Sequence, residues 1–250
     1  AKLARDVLGK EHALAVTADS PSLAREDLDV ACRVASQLDL LHLVIATREV
    51  ERPAYQRNTP MRCYVCKREL FVELEDVARA RGLSVVLYGA IGDDQLAERP
   101  GQQAAHDFGV RAPLQEAGLE KWEVRQLAKS LGLPNWDRPQ NACLSSRVPH
   151  GMKITMQMLK QIEDAESFLR SAGFGHVRVR HLGSHARIEV DRDAVARFHS
   201  PTLCHSVSAF FHDVLGFDTV GLDLDGYHPG GANQAPVDEI LISQPVTSNK

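Results

Sequence analysis

A chain of 250 residues, 44% hydrophobic and 25% charged, suits one large domain or two small ones, each with its own core. A formal charge of −4 argues against broad nucleic-acid binding, and no apolar run approaches membrane-spanning length. Five cysteines, an odd count without small-scaffold spacing, argue against a disulfide framework; with no signal peptide at the start, reduced thiols in a cytoplasmic protein are expected.

Residues 1–9 read as the last turns of a helix stopped at Gly9, which suggests that something upstream of Ala1 is missing. Residues 12–18 (HALAVTA) form a short apolar strand, and Ser20-Pro21 reads as an N-cap followed by proline at the first helical position. That helix runs to about Gln37, with Leu28, Ala31, Val34 and Ala35 on one face. Residues 41–47 (LHLVIAT) give a second buried strand, and a polar connection follows. A helix over 64–81 and a third strand over 84–90 (SVVLYGA) complete an alternation typical of right-handed parallel βαβ units. Ligands in such sheets sit beyond the carboxyl ends of the strands. The stretches 17–20, the cysteine-bearing connection and the 89–101 loop fall there.

A short helix near 102–108, a longer one near 121–131 and an irregular segment, 134–151, end the first domain, set at residues 1–150. From 151 to 235 the rhythm changes to a small α+β domain. Its helix over 155–172 is followed by two period-two segments, 176–180 and 186–190, joined by a hairpin turn. A helix over 193–215, disturbed at Pro201, and a strand over 218–224 come next, and 236–250 reads as a disordered tail.

Cys63 and Cys66 stand three apart at a helix start, where the positive dipole end favours anionic ligands. Cys143, on a distant loop, could complete a three-sulfur corner with one open position, suited to a metal or iron–sulfur centre. Structural zinc, with His106 or His150 as fourth ligand, a redox pair and inert thiols all compete with that reading. Cys32 and Cys204 read as small core residues. The run Gly89-Ala90-Ile91-Gly92-Asp93-Asp94, closed by Arg99-Pro100-Gly101, would let a backbone approach phosphate oxygens, with carboxylates for Mg²⁺. A plain polar turn is the competing reading. Arg178 and Arg180 share one strand face, opposite Arg187 and Glu189, and either grip an anion or form a solvent-facing row of ion pairs. Arg147, beside Ser145 and Ser146, is another anion candidate. Glu166 by itself passes for a solvated helix residue.

Taken together, NTPxRCYxCKxxLF from Asn58, the Gly89–Gly101 loop, GLPxWDxPxxACLSSRxPxG from Gly132, and the VRVR and ARIEV strands resemble the LarE family. The resemblance covers nearly the whole chain, to about Gly230. It implies an adenine-nucleotide α-hydrolase-like (PP-loop, Rossmann-like) parallel sheet followed by a smaller substrate-binding domain. The implied activity is ATP-dependent sulfur transfer to pyridinium-3,5-biscarboxylic acid mononucleotide, a precursor of the nickel-pincer nucleotide of lactate racemase. Family members of this type adenylylate the substrate carboxylate and then deliver sulfur. Three-cysteine members look able to hold a [4Fe-4S] cluster, and Cys63, Cys66 and Cys143 stand at the matching places. The resemblance assigns Ser146, Arg147, Arg178 and Arg180 to the grip on the nucleotide, Glu166 and Glu189 to carboxylates beside it, and Gly89, Asp93 and Asp94 to the ATP side with Mg²⁺. It implies a homo-oligomer and a small-molecule nucleotide substrate, with neither membrane nor nucleic acid as partner. The family's SGGxDS loop has no counterpart in these residues, and Tyr227-His228-Pro229-Gly230-Gly231-Ala232-Asn233 replaces its YRxGSMN-like segment. Two other readings stay open: a related PP-loop sulfur transferase acting on another carboxylate or a tRNA base, and a degenerate metal-binding copy without ATP turnover.

Overall fold

In the computed structural model, which describes residues 1–96, 100–139, 141–228, 231–233 and 238–242, the chain divides into two units, Ala1–Asn141 and Ala142–Lys250. The division falls earlier than the expected boundary after residue 150, and it assigns Cys143 to the second unit.

The first unit opens with α1 (Lys2–Leu8), closed by Gly9 at φ 89°, a backbone conformation that glycine adopts without a Cβ penalty. Strand β1 (Leu14–Asp19) pairs in parallel with β2 (Leu41–Ala46), and α2 (Arg25–Gln37) crosses between them. The expected N-cap at Ser20 is not one, because its hydroxyl already serves Glu49 and the Ser22 N–H; the helix starts only after Ala24. A 3-10 turn (Glu49–Glu51) and α3 (Pro53–Gln56) lead into α4 (Arg62–Ala80).

The expected third strand over 84–90 is reduced to one parallel bridge, Leu87 with Arg111. Tyr88 N–H donates to Arg111 and Arg111 N–H to Val86, at 3.0 Å each. The same segment borders an apolar groove of about 270 Å³ lined by Ala4, Leu14, Val16, Leu74, Val85 and Leu87, so among the described residues no ladder extends it on that side. The helices α5 (Pro100–Asp107), α6 (Pro113–Glu116) and α7 (Lys121–Ser130) follow; Phe71 of α4, Ala104 and Ala105 of α5, and Tyr88 and Phe108 form a small core. The parallel pairing and the alternation of helix with strand are those of a mixed α/β nucleotide-binding fold.

The second unit is built on α8 (Met156–Ser171) and a four-stranded sheet, β3 (Val177–Leu182), β4 (His185–Val190), β5 (Thr219–Asp223) and β6 (Glu239–Leu241), hydrogen-bonded in that order. Thr155 caps α8 by accepting from Met158 N–H at 3.2 Å. β3 and β4 form the expected hairpin, β5 lies parallel to β4, and β6 runs antiparallel to β5. The strand Glu239–Leu241 corrects the expectation of a disordered tail from Pro236, since its backbone groups complete the β5 edge; 236–237 and 243–250 lie outside the described residues. The helix expected over 193–215 is three pieces: a 3-10 helix (Arg192–His199), α9 (Pro201–Ala209) and a π turn (Phe210–Val214). Pro201 forces the first break, because it has no N–H to donate into a preceding turn, and Ser200 caps the new start at Leu203 N–H.

Period-two alternation sends Val177, Val179, Ile188 and Val190 into a core with Leu169, Phe211, Phe217 and Val220. The intervening positions, Arg178, Arg180, Arg187 and Glu189, therefore share the opposite face. That face is buried too.

Candidate active site

Four buried arginines meet on the charged face of β3 and β4. Arg147, fully buried, ends the short 3-10 turn (Leu144–Arg147) that follows Cys143. It forms a fork with Glu166 of α8, Nε to Oε1 at 2.8 Å and Nη2 to Oε2 at 3.0 Å. Its Nη1 donates to the carbonyls of Ala142 and Cys143, the latter at 2.8 Å, and to Ser146 Oγ at 3.1 Å. This one guanidinium therefore shapes the backbone that presents the Cys143 thiol. Glu166 is 1% exposed, which corrects its reading as a solvated residue: the Val179 N–H and Arg170 also donate to it, at 3.1 and 3.4 Å.

Arg180 makes the second fork, with Glu189 at 2.7 and 2.6 Å, and reaches the carbonyls of Ser146 at 3.3 Å and His228 at 3.0 Å. Glu189 sits opposite Arg178 in the ladder, so the fork is diagonal, and Arg187 approaches the same carboxylate at 3.5 Å. Forks of this kind are strong and directional. The row is not the solvent-facing set of ion pairs that period-two alternation also allows. Side chains on two strands and a turn close over it, leaving Arg178 at 5% and Arg180 at 3% exposed.

Arg178 differs from the others. Its Nη1 donates only to its own neighbour, the Val177 carbonyl, at 2.6 Å, and its guanidinium lies 5.3 Å from the centre of the Tyr227 ring. Among the described residues no carboxylate comes within ion-pair distance of it. Burial pulls its pKa below the usual arginine value, the Arg147 charge adds to that, and Glu166 opposes it. A buried cation with a second cation beside it and, among the described residues, no carboxylate in ion-pair range would be stabilised by an anion.

In the first unit, Cys63 and Cys66 lie one helical turn apart, on the same side of the first turn of α4, whose start has no side-chain cap. Cys63 and Cys143 are exposed, Cys66 is half-buried, and all five cysteines are thiols. No third ligating side chain of the first unit's described residues joins Cys63 and Cys66, so neither His106, largely exposed beside Asp107, nor any other closes a zinc site there. His150, in the second unit, uses its backbone N–H to hold Asn233. Cys204 donates to the Phe198 carbonyl and packs on the second core, as expected of a small core residue. The connection into α4 is braced from both sides: Arg52 forks to Glu69, and Arg62 donates to Asn58, a fully buried residue at φ 49°.

Asp93 and Asp94 occupy a 3-10 turn (Gly92–Leu96), where Asp93 accepts the Lys121 N–H at the start of α7 and Asp94 the Ile91 N–H, each at 3.2 Å. A Cβ at Gly92 would stand 3.2 Å from the Leu119 carbonyl oxygen, a tight contact against backbone. Gly89 is exposed at the end of the bridge segment. Sequence reasoning passed over Glu49. It lies just beyond β2, 2% exposed, with Oε1 clamped by Ser20 and Ser22 and Oε2 without a hydrogen-bond partner among the described residues. The only advance signal was its place after the carboxyl end of a parallel strand, where ligands collect.

No protein-family model matches the chain. It is 35% identical over 239 residues to the pyridinium-3,5-bisthiocarboxylic acid mononucleotide synthase of Lactiplantibacillus plantarum, with 93% of this chain and 83% of the relative covered. The chain belongs to the LarE family. An uncharacterised protein of Synechocystis sp. is 42% identical over 234 residues, covering 94% of this chain and 87% of its own. An uncharacterised protein of Methanocaldococcus jannaschii is 33% identical over 137 residues, about half of each chain. LarE membership gives the buried arginine face and the thiols a common context, while their roles in this chain rest on the geometry above. Among the described residues no helix is long and apolar enough to cross a membrane.

Proposed function

We propose that this LarE-family chain is an ATP-dependent sulfur transferase acting on pyridinium-3,5-biscarboxylic acid mononucleotide, in the route to the nickel-pincer cofactor of lactate racemase. The observation that carries the reading is Arg178, a buried guanidinium with no carboxylate in ion-pair range among the described residues, on the face that Arg147 and Arg180 line. A nucleotide bearing one phosphate and two carboxylates is an anion of the kind such a face takes. Glu166 and Glu189 hold Arg147 and Arg180 in fixed forks, so that Arg178 and the outward edges of its neighbours meet the ligand without reorganising. Ser146 reports to both forks, its hydroxyl to Arg147 and its carbonyl to Arg180.

The chemistry divides into two displacements. A substrate carboxylate oxygen attacks the α-phosphorus of ATP and pyrophosphate leaves; sulfide sulfur then displaces AMP at the acyl carbon, leaving a thiocarboxylate. Nearby guanidinium groups offset charge in both. Gly89, Asp93 and Asp94 are assigned to the ATP side with Mg²⁺, and Glu49 Oε2 to a hydroxyl or amine donor of that nucleotide.

The thiols fit an iron–sulfur centre by donor type: two at helical spacing on an uncapped helix start, and a third held outward by the Arg147-braced turn. Cys63, Cys66 and Cys143 would hold a [4Fe-4S] cluster, which when bound supplies inorganic sulfide. A homo-oligomer in the cytoplasm completes the proposal.

Anaerobic reconstitution followed by iron and sulfide analysis and mass spectrometry of the nucleotide tests it. Wild type should hold about four irons per chain and add sulfur to the pyridinium mononucleotide, whereas Cys143→Ala should lose both. Wild type without iron and sulfide would remove the cluster, and sulfur appearing on bulk tRNA instead would replace the substrate.

A further inference from the structure

The carboxyl end of β5 and the loop after it carry a ligand set that the proposed chemistry leaves unused. Asp223, Asp225 and His228 each present one ligating atom, and these atoms lie within 4.8 Å of one another. Among the described residues no hydrogen bond or ion pair joins the His228 ring to either carboxylate; the residue is held through its backbone carbonyl, which accepts from Arg180. Groups that converge without touching have the spacing of ligands around a shared ion: bonds of about 2.0–2.4 Å place two ligands roughly 3–4.6 Å apart.

Asp223 supplies a separate reason. It is 1% exposed; among the described residues Oδ1 accepts from Asp225 N–H at 3.0 Å, while Oδ2 forms a long ion pair with Arg187 Nε at 3.8 Å. A carboxylate so withdrawn from water, with its second oxygen beyond hydrogen-bond reach of its arginine, is one that a cation would further stabilise.

The loop is also held in place rather than adjustable. Gly226 stands at φ 81°, where a Cβ would come within 2.7 Å of the Val190 carbonyl oxygen. Tyr227 N–H donates to that same oxygen at 2.8 Å, and the His228 carbonyl accepts from Arg180 at 3.0 Å. The three side chains are thus presented by a backbone pinned on both sides of them.

We propose that Asp223, Asp225 and His228 bind one divalent first-row transition-metal ion. Two carboxylates with one imidazole suit Mn²⁺, Fe²⁺ or Zn²⁺ better than Mg²⁺, which prefers oxygen ligands alone. Through the His228 carbonyl the ion sits one hydrogen bond from the Arg180–Glu189 fork, so its charge would be felt on the arginine face. The inference stands apart from the proposed sulfur transfer.

The test is a titration of the reduced full-length chain with Mn²⁺ alone, following the free-ion signal by electron paramagnetic resonance. Wild type should bind one ion per chain. His228→Ala and Asp225→Asn, both outside the core and checked for unchanged thermal unfolding, should each weaken binding at least tenfold. The buried Asp223 is left intact so that folding does not confuse the result. Wild type that leaves the free-ion signal undiminished, or variants that bind as tightly as wild type, would overturn the assignment.

Discussion

Arg178 shows what one residue contributes to this site. Withdrawing a guanidinium from water without a compensating carboxylate costs several kcal/mol, and that cost is tolerated only if the fold holds it there by other means. Here the VRVR alternation does so, since any register that buries Val177 and Val179 must also carry Arg178 and Arg180 to the other face. The neighbouring forks behave in the opposite way. Removing Glu166 strands Arg147 without its partner, so Glu166→Ala should lower the unfolding free energy by about 3–5 kcal/mol in chemical denaturation. A loss below about 1 kcal/mol, the ordinary value for an exposed pair, would show that the fork is not buried in solution. The pairing was half legible in the sequence. Alternation placed Arg178, Arg180, Arg187 and Glu189 together, but nothing in the sequence told a buried face from a wet one. What covers that face is the Cys143 turn and the Tyr227 loop, both remote in the chain.

At the scale of elements, local rules were reliable where a single residue enforces them and failed where a tertiary partner competes. Thr155 was read at the start of a helix and is its N-cap; Thr155→Ala should cost about 1 kcal/mol in thermal or denaturant unfolding. Ser20 carries the same signal and is no cap, because Glu49 takes its hydroxyl. The strand expected over 84–90 is a single bridge, because a ladder needs a neighbour and, among the described residues, only Arg111 offers one. Helix α1 depends on a charge pattern that sequence did not reveal. Asp39 accepts from Lys10 and from Arg5 at 3.1 Å, and those bonds, Lys10 first, hold its pKa below the ordinary carboxylate value. A carboxyl with a lowered folded pKa stabilises above its unfolded pKa and loses that contribution as pH falls through the folded value. Hydrogen-exchange protection of α1 should therefore drop on acidification below about pH 4, and Asp39→Asn should show the low protection already at neutral pH. Equal protection in both proteins across that range would dissociate Asp39 from α1.

For the molecule as a whole, two units with separate cores were legible from the change of rhythm near the middle of the chain. Their boundary was not, because the segment around Cys143 has no regular periodicity and is assigned by its contacts, chiefly those of Arg147. That shift matters, since the third thiol is shaped by the arginine face rather than by the unit whose helix α4 carries Cys63 and Cys66. The arginine face and the Cys143 turn are one construction, and the proposed ligand on Arg178 is what the account most depends on. The direct test is calorimetric titration of the reduced chain with pyridinium-3,5-biscarboxylic acid mononucleotide, without ATP or iron, comparing wild type with Arg178→Ala. The account predicts saturable binding by wild type and a loss of about 100-fold in the variant, the scale of a buried charged contact. Binding of equal strength in the two proteins, or none in wild type, would contradict it.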